Sequence, residues 1–244
     1  GASWFEHAPE GPIPSARQAH AMAYDVARGV TVLFGGQKWT DSIQSTADWL
    51  SDTWEWDGGT WSERILAGPT PPVRRGHAMA YDVARGVTVL FGGYAITPGP
   101  DQPLQDLWEW DGESWVERIT AGEVPSVQDG CAMAYDVSKE RILLFGRYTD
   151  FPDEIVSETW TWDGETWIEE ATDGLVPSSG PMAYDEARDK VVLVEDTTWE
   201  FDDGASGRPS HHFEVSWPAA LVDDATELRG MRVTWVGGGA GYAD

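Results

Sequence analysis

The sequence predicts an all-β protein built from repeated four-stranded units, and three observations lead to this fold class. A phrase at 74–93, RRGHAMAYDVARGVTVLFGG, recurs almost unchanged at 18–36, with more changes at 130–146, and as a worn copy at 180–195. A tryptophan-containing phrase, such as DLWEWDGESWVERI at 106–119, follows each copy. The composition, with 15 Trp and 27 Gly among 244 residues, favours a turn-rich sheet protein over a helical one.

The spacing of the copies places the chain among the repeat architectures. The tyrosines of the four MAYD segments are Tyr24, Tyr81, Tyr135 and Tyr184, so successive copies lie 57, 54 and 49 residues apart. Periods of this length are typical of propellers and of other repeat arrays.

The first half of each repeat contains two strand patterns. In HAMAY, His77, Met79 and Tyr81 alternate with alanines, and this period of two is that of a β-strand. The segment VTVLFGG at 87–93 is apolar and β-branched, which indicates a strand covered on both faces. The Asp-started turn YDVARGV joins these two strands.

The second half of each repeat supplies two further strands. Trp108 and Trp110 lie on one face of a third strand, and SWVERI forms the fourth. The WDGG and WDGE segments between them are Asp-Gly hairpin turns. Four antiparallel strands with tryptophans on the sheet faces predict a propeller blade, because radial stacking of such sheets buries their faces.

These phrases resemble those of a known family. The glycine pairs at 35–36 and 92–93, each followed by a downstream tryptophan, are similar to Kelch repeats, and RxGHAMAYD with DTWEWDG is most similar to bacterial Kelch-type proteins. The resemblance extends over roughly residues 15–203 and implies a Kelch-like β-propeller, exported from a bacterium. Kelch propellers include binding scaffolds and enzymes of the galactose oxidase type, whose copper-site residues have no matching motif here.

The repeats predict one domain of about five blades. The clear blades cover about 17–66, 74–119, 129–170 and 180–203, and a degenerate fifth blade consists of 208–244 plus 1–6. In the fifth unit, RPSHHFEVSW aligns with RRGHAMAY, MRVTWVGGG resembles VTVLFGG, and the initial SWFEH resembles a fourth strand that closes the last blade. Two alternatives stay open: four blades with a strap, and an incomplete ring completed by a second chain. The protein is accordingly expected to be a monomer or a dimer.

The net charge argues against nucleic acid and anionic membranes as partners, and the cysteine count excludes an intramolecular disulfide. With 16 Lys and Arg against 42 Asp and Glu, the formal net charge is −26, so nucleic acid and anionic membrane surfaces repel the chain. Cys131 is the single cysteine, which excludes an intramolecular disulfide, and no apolar run is long enough to span a membrane. No signal peptide is visible and the chain opens inside a pattern, so we expect a trimmed chain or a fragment of a longer surface protein.

One register of the repeat predicts a metal site at the mouth of the central channel. The innermost strand begins at His20, His77, Cys131 and His211 in successive repeats, and at Gly180 in the fourth. Three imidazoles and one thiolate are suitable ligands for zinc or a similar divalent transition metal. An open coordination position would hold a water molecule of lowered pKa, which is the nucleophile of metal-dependent hydrolysis.

Arginines accompany these candidate ligands. Arg17, Arg74 and Arg208 stand three residues before the histidines, and a guanidinium there would bind a small anionic substrate and stabilise developing negative charge. The sequence therefore predicts a metal-dependent hydrolase of esters or phosphoesters. The structural alternative is that the histidines pack between blades and that the arginines pair with a carboxylate of a neighbouring blade.

A second predicted function, of a different class, is a non-catalytic module that binds a protein or glycan. The connections between second and third strands differ among otherwise similar repeats, and variable loops on a rigid scaffold are where recognition usually occurs. The longest connection, 37–51, contains Trp39 and Trp49. With Tyr94 and Tyr148 these residues are predicted to form an aromatic platform for a sugar or a peptide.

Overall fold

The computed structural model describes residues 6–39, 47–95, 102–126, 129–150, 154–171, 177 and 180–203, and in these ranges it contains strands and turns but no helix. The strands are, in chain order, β1 (Ala21–Asp25), β2 (Val30–Trp39), β3 (Ala47–Trp56), β4 (Trp61–Glu63), β5 (Ala78–Asp82), β6 (Val87–Phe91), β7 (Tyr94–Ala95), β8 (Gln102–Pro103), β9 (Leu107–Trp110), β10 (Trp115–Arg118), β11 (Asp129–Asp136), β12 (Arg141–Asp150), β13 (Glu154–Trp162), β14 (Trp167–Glu169), β15 (Met182–Asp185), β16 (Lys190–Val194) and β17 (Thr198–Phe201). Nowhere in the described ranges is there a helix with the length and apolar character required to cross a membrane.

The strands form four antiparallel blades that follow one another along the chain. Blade 1 has the order β1-β2-β3-β4, blade 2 β5-β6-β9-β10, blade 3 β11-β12-β13-β14, and blade 4 β15-β16-β17. A two-stranded hairpin, β7-β8, lies in the connection between β6 and β9. The prediction of an all-β protein made of repeated antiparallel units is confirmed. The predicted fifth blade falls almost entirely outside the described residues.

Corresponding residues occupy corresponding positions in the blades. In blade 1, β1 pairs with β2 so that Ala21 lies opposite Phe34. The same pair recurs as Ala78 with Phe91 in blade 2 and as Ala132 with Phe145 in blade 3. Because the register is the same, a residue aligned in the sequence repeat occupies an equivalent site in each blade.

Aspartates form the two kinds of tight turn. After β5, the carbonyl oxygen of Asp82 accepts a hydrogen bond from the Gly86 amide at 2.8 Å, and Gly86 has a φ of +68°. In the hairpin between β9 and β10, Asp111 Oδ1 accepts hydrogen bonds from the amides of Glu113 and Ser114, both at 2.8 Å. The predicted turns are confirmed, and these carboxylates serve local backbone geometry.

The core lies between the blades, because blades 2 and 3 each cover the preceding blade with a face that carries tryptophans. Trp115 of blade 2 packs edge-on against Phe34 of blade 1 with ring centroids 5.3 Å apart, and its Nε1 donates to Thr53 Oγ1 at 2.9 Å. Between blades 2 and 3, Trp167 packs against Phe91 with centroids 5.0 Å apart. Burying one such ring removes roughly 150–250 Å² from water, an upper bound of about 4–6 kcal/mol by area.

Candidate functional site

The first strands of the blades lie side by side at the centre, where β1 contacts β5, β5 contacts β11, and β11 contacts β15. We call the end at which these strands begin the mouth end; it comprises the entry segments 17–20, 74–77 and 129–131 and the residues at which β2, β6 and β12 end. Gln18 and Gln37 exchange two backbone hydrogen bonds of 2.9 Å, and Arg75 and Tyr94 exchange two of 3.1 and 2.9 Å. Each of these two entry segments is therefore fastened to the residues that follow the glycine pair of its own blade.

This crossing of two backbones explains the repeated glycine pair. Gly36 has a φ of +90°, and a Cβ atom on it would lie 2.7 Å from the carbonyl oxygen of Gln18. Gly93 has a φ of +85°, and its Cβ would lie 2.6 Å from the carbonyl oxygen of Arg75. Positive φ and the close approach of a second backbone both exclude a side chain at these positions.

The two predicted arginines that the structure describes are held in ion pairs within their own blades. Arg17 Nη1 and Nη2 donate to Asp52 Oδ1 and Oδ2 at 2.6 and 2.8 Å. Arg74 Nη1 and Nη2 donate to Asp106 Oδ1 and Oδ2 at 2.8 and 2.6 Å. Each guanidinium also donates to the carbonyl of the first glycine of its glycine pair, at 3.0 and 2.9 Å. The carboxylate partner thus comes from the same blade, so the structural alternative was wrong in placing that carboxylate on a neighbouring blade.

A tryptophan completes each of these ion pairs. Trp54 Nε1 donates to Asp52 Oδ2 and Trp108 Nε1 donates to Asp106 Oδ2, both at 2.7 Å. Burial alone would raise the pKa of Asp52, but the hydrogen bonds from Arg17 and Trp54 and the positive charge of Arg17 lower it below its ordinary value. The Asp52 carboxylate therefore stays ionised at neutral pH and keeps the guanidinium donors of Arg17 occupied.

Reasoning from sequence missed Asp52 and Asp106. A signal was present, because an acidic residue stands two positions before the first tryptophan in DTWEW, DLWEW and ETWTW. In blade 3 this residue is Glu158, whose Oε2 accepts hydrogen bonds from Trp160 Nε1 at 2.9 Å and from the Ser126 amide at 2.8 Å. The arginine position of blade 3 is Gln128, which lies outside the described residues.

His77 is buried between blades 1 and 2, with 5% of its surface exposed. Its imidazole lies edge-on to Phe34 of blade 1 with ring centroids 5.6 Å apart. The backbone of Phe34 lies close enough to favour the charged ring slightly, but neither ring nitrogen completes a hydrogen bond within the described part of the chain. Burial, followed by the charge of Arg74, lowers the pKa of His77 to about 3. The imidazole is therefore neutral at physiological pH.

The two other described candidate ligands are partly buried at the same end. Burial, followed by the charge of Arg17, lowers the pKa of His20, and its Nδ1 has no hydrogen-bond partner among the described residues. Cys131 is half-buried, and its Sγ lies 3.7 Å from the carbonyl oxygen of Gly76. Both residues thus belong to entry segments at the mouth end.

These side chains do not form a recognisable metal centre in the described part of the chain. No three His, Cys, Asp or Glu side chains among the described residues are grouped so that they could hold a metal ion. His211 and Arg208, the remaining members of the predicted set, lie outside the described ranges. The zinc site and its hydrolytic chemistry stay predictions from sequence.

An aromatic cluster at the mouth end joins blades 1 and 2. The guanidinium carbon of Arg75 lies 5.1 Å from the ring centroid of Trp49 and 5.5 Å from that of Tyr94. Trp49 comes from β3 of blade 1, whereas Arg75 and Tyr94 belong to blade 2, and all three side chains are half-buried. Tyr148, at the same end of β12, is also half-buried, and the side chain of Trp39 lies outside the described part.

Antiparallel four-stranded blades around a central axis define a β-propeller. The family model of the KLHDC2/KLHL20/DRC7 Kelch-repeats domain matches residues 1–186, which is more than half of the chain. The protein therefore belongs to the Kelch-repeat family, and the resemblance inferred from its sequence is confirmed.

Comparison with individual proteins shows the fold alone. No curated protein matches the chain. The solved structure of YjhT is similar with a TM-score of 0.51 at 16% identity, over 72% of this chain and 58% of that one. The matched part thus spans somewhat more than half the length of YjhT.

Proposed function

We propose that this protein is a non-catalytic binding module that recognises a segment of another protein at the mouth end. The observation that carries the proposal is the cluster of Trp49, Arg75 and Tyr94, which two blades assemble at the mouth end. Tryptophan, tyrosine and arginine are the residue types enriched at the positions that dominate protein interfaces. Kelch domains commonly mediate protein binding, which favours a protein over a glycan as the ligand.

The geometry of the cluster supports a recognition role. A guanidinium within about 6 Å of an aromatic centroid is attracted to the ring by roughly 0.5–1 kcal/mol at an exposed site. Arg75 meets this condition with two rings, so its long side chain is restrained before any ligand arrives. Restrained aromatic and guanidinium groups lose little conformational entropy when a ligand binds, and this small loss increases the affinity.

The positions of the other candidate residues also favour binding over catalysis. Arg17 and Arg74, which the hydrolase hypothesis assigns to a substrate anion, donate to Asp52 and Asp106. His77 faces Phe34 in the junction between blades. These contacts account for the recurrence of the arginines and of His77 through the packing of the blades.

The test is selection of ligands from a displayed random-peptide library and from a glycan array, each probed with the full chain. We expect peptides whose affinity falls at least about tenfold with Trp49→Ala or Tyr94→Ala, the loss typical of a residue that dominates an interface. Val83→Ala is the matched control, because this 48%-exposed side chain lies in the tight turn after β5, at the opposite end of the blades. Its substitution should leave affinity unchanged.

Two results would contradict the proposal. One is a set of selected peptides that bind equally well to Trp49→Ala, Tyr94→Ala and the unmodified chain. The other is selection from the glycan array alone, because aromatic rings also stack on sugars and that outcome would assign the cluster to carbohydrate.

A further inference from the structure

Blade 4 leaves uncovered a position that is buried in every other blade. Val194 at the end of β16 occupies the place of Phe34, Phe91 and Phe145 in the repeat. Those phenylalanines are 0%, 0% and 3% exposed, whereas Val194 is 48% exposed. In blades 1 and 2 the following blade covers this position, since Phe34 packs against Trp115 and Phe91 packs against Trp167.

The exposed position belongs to a continuous face. Ala183 of β15 lies opposite Val192 of β16 in the sheet; Ala183 is exposed and Val192 is only partly buried. The corresponding residues of the other blades are all buried: Ala23, Ala80, Ala134, Val32, Val89 and Leu143. On the opposite side of β16, Val191 is buried in a cluster with Ala134 and Leu143 of blade 3. One side of blade 4 is thus covered by blade 3, and we call the other side, formed by Ala183, Val192 and Val194, the open face.

The junction between blades 1 and 2 shows what such a face accepts. Ala23 and Phe34 of blade 1 share a core cluster with Met79 and Tyr81 of blade 2, each of which is 7% exposed. The covering surface therefore consists of large apolar side chains at alternate positions of a first strand, with further apolar side chains from its neighbouring strands. A segment that covers the open face needs the same pattern.

The chain contains this pattern after blade 4. When His211 is aligned with His77, Phe213 takes the place of Met79 and Val215 that of Tyr81. When the glycines at 237–238 are aligned with the glycine pair at 35–36, Trp235 takes the place of Leu33, which lies opposite Met22 in blade 1. Phe213, Val215 and Trp235 would consequently share one face of a blade.

Charge and connectivity favour this segment, rather than a second copy of the chain, as the occupant of the open face. Residues 204–244 contain three arginines and five acidic residues, a net charge of −2, whereas a second copy carries −26 and is repelled by the first. A tethered segment also acts at an effective concentration of the order of millimolar. Residues 208–244 number 37, against the 41 that blade 2 uses from Ala78 to Arg118, so the segment is long enough to form the strands of a blade.

We propose that residues 208–244 pack against the open face of blade 4 as a further blade, with Phe213, Val215 and Trp235 covering Ala183, Val192 and Val194. This interface continues the succession of interblade contacts already present from blade 1 to blade 4. It is independent of the proposed binding function, since the mouth-end cluster lies on blades 1 and 2.

Thiol labelling of the full chain tests the proposal. In a Cys131→Ala background, Val194→Cys reports the open face, and Val137→Cys, at a 45%-exposed position in the turn after β11, provides a matched reference. We expect Val194→Cys to react at least about tenfold more slowly than the reference. Adding Phe213→Asp and Trp235→Asp should raise its rate to the reference rate and leave labelling of Val137→Cys unchanged.

Three results would overturn the proposal: reaction of Val194→Cys at the reference rate in the full chain, slow reaction that Phe213→Asp with Trp235→Asp does not change, and slow reaction that disappears on dilution. The last result would assign the open face to a second copy. Ala183→Cys is the second reporter on the same face, for use if circular dichroism shows that Val194→Cys disturbs the sheet.

Discussion

Arg74 donates two hydrogen bonds to Asp106, of 2.8 and 2.6 Å, from a guanidinium that is fully buried. The pair joins the entry segment of blade 2 to the residue just before β9, and Trp108 Nε1 donates to the same carboxylate. The equivalent contact in blade 1, between Arg17 and Asp52, is also bidentate. A buried ion pair that recurs at one register of the repeat is part of the structure of the blade.

Removal of the carboxylate should therefore cost stability. Asp106→Ala leaves the Arg74 guanidinium buried without its charge partner, and we expect the free energy of unfolding to fall by about 3 kcal/mol. Asp48→Ala is the control, because Asp48 pairs with Lys38 at 3.5 Å with side chains 60% and 38% exposed, and such a pair contributes less than about 1 kcal/mol. Urea titration followed by tryptophan fluorescence measures both changes. Equal effects of the two substitutions would show that the Arg74–Asp106 pair is not structural.

The buried His77 should make the protein sensitive to mild acid. Its pKa is about 3 in the folded chain against 6.5 when exposed, so below pH 6.5 the unfolded chain binds a proton that the folded chain does not. Stability is thus retained above pH 6.5 and is lost as the pH falls toward 3. This group alone should lower the free energy of unfolding by about 2 kcal/mol between pH 7 and pH 5.

The contribution of His77 is isolated by comparison with His77→Phe. Over the same pH range, this variant should lose about 2 kcal/mol less stability than the unmodified chain. His20, whose pKa is also lowered, acts in the same direction in both proteins, and its charge contributes to the lowered pKa of His77. Identical pH profiles of the two proteins would show that protonation of His77 does not oppose folding.

The candidate zinc site can be tested by metal content. His77 is buried in the junction between blades 1 and 2, edge-on to the Phe34 ring, so we expect much less than one equivalent of zinc per chain after purification without added metal. We also expect the melting temperature to be unchanged by a chelator. About one equivalent, lost in His77→Ala, would instead establish the metal site predicted from His20, His77, Cys131 and His211. Assays with ester and phosphoester substrates would then follow.

The sequence predicts the blades well because short local patterns specify their strands and turns, and these patterns are repeated along the chain. Alternation in HAMAY, apolar character in VTVLF and Asp-Gly turns each specify one element, and every copy supports the same assignment. The partner of Arg74 was not predicted, since Asp106 lies 32 residues away and the repeat shows that both residues recur without showing that they meet. The joint recurrence of Arg17 with Asp52 was the available signal.

The orientation of the histidines likewise could not be obtained from the sequence. Alternation places His77 on the face of Met79 and Tyr81, and that face packs against the preceding blade. Whether the first residue of the strand turns toward the axis or into this junction depends on the space beside Phe34, which is a tertiary property. The cluster of Trp49, Arg75 and Tyr94 depends in the same way on the placement of two blades.

The glycine pair provides the most direct test of the backbone crossing at the mouth end. A Cβ at Gly93 would lie 2.6 Å from the carbonyl oxygen of Arg75 and 2.8 Å from the amide nitrogen of His77, in a residue with a φ of +85°. Gly93→Ala should therefore lower the free energy of unfolding by at least about 2 kcal/mol, because both strain and displacement of backbone oppose it.

Gly68 is the matched control for this substitution. It lies in the connection between blades 1 and 2, and its Cβ would have no atom within 4 Å. Gly68→Ala should leave stability unchanged or raise it by up to about 1 kcal/mol, since alanine reduces the conformational entropy of the unfolded chain. If Gly93→Ala proved as harmless as Gly68→Ala in thermal and urea unfolding, the entry segment would not be fixed against residues 92–94. The hydrogen bonds between Arg75 and Tyr94 would then not set the position of the aromatic cluster, and the mouth end would be less rigid than the proposed binding function requires.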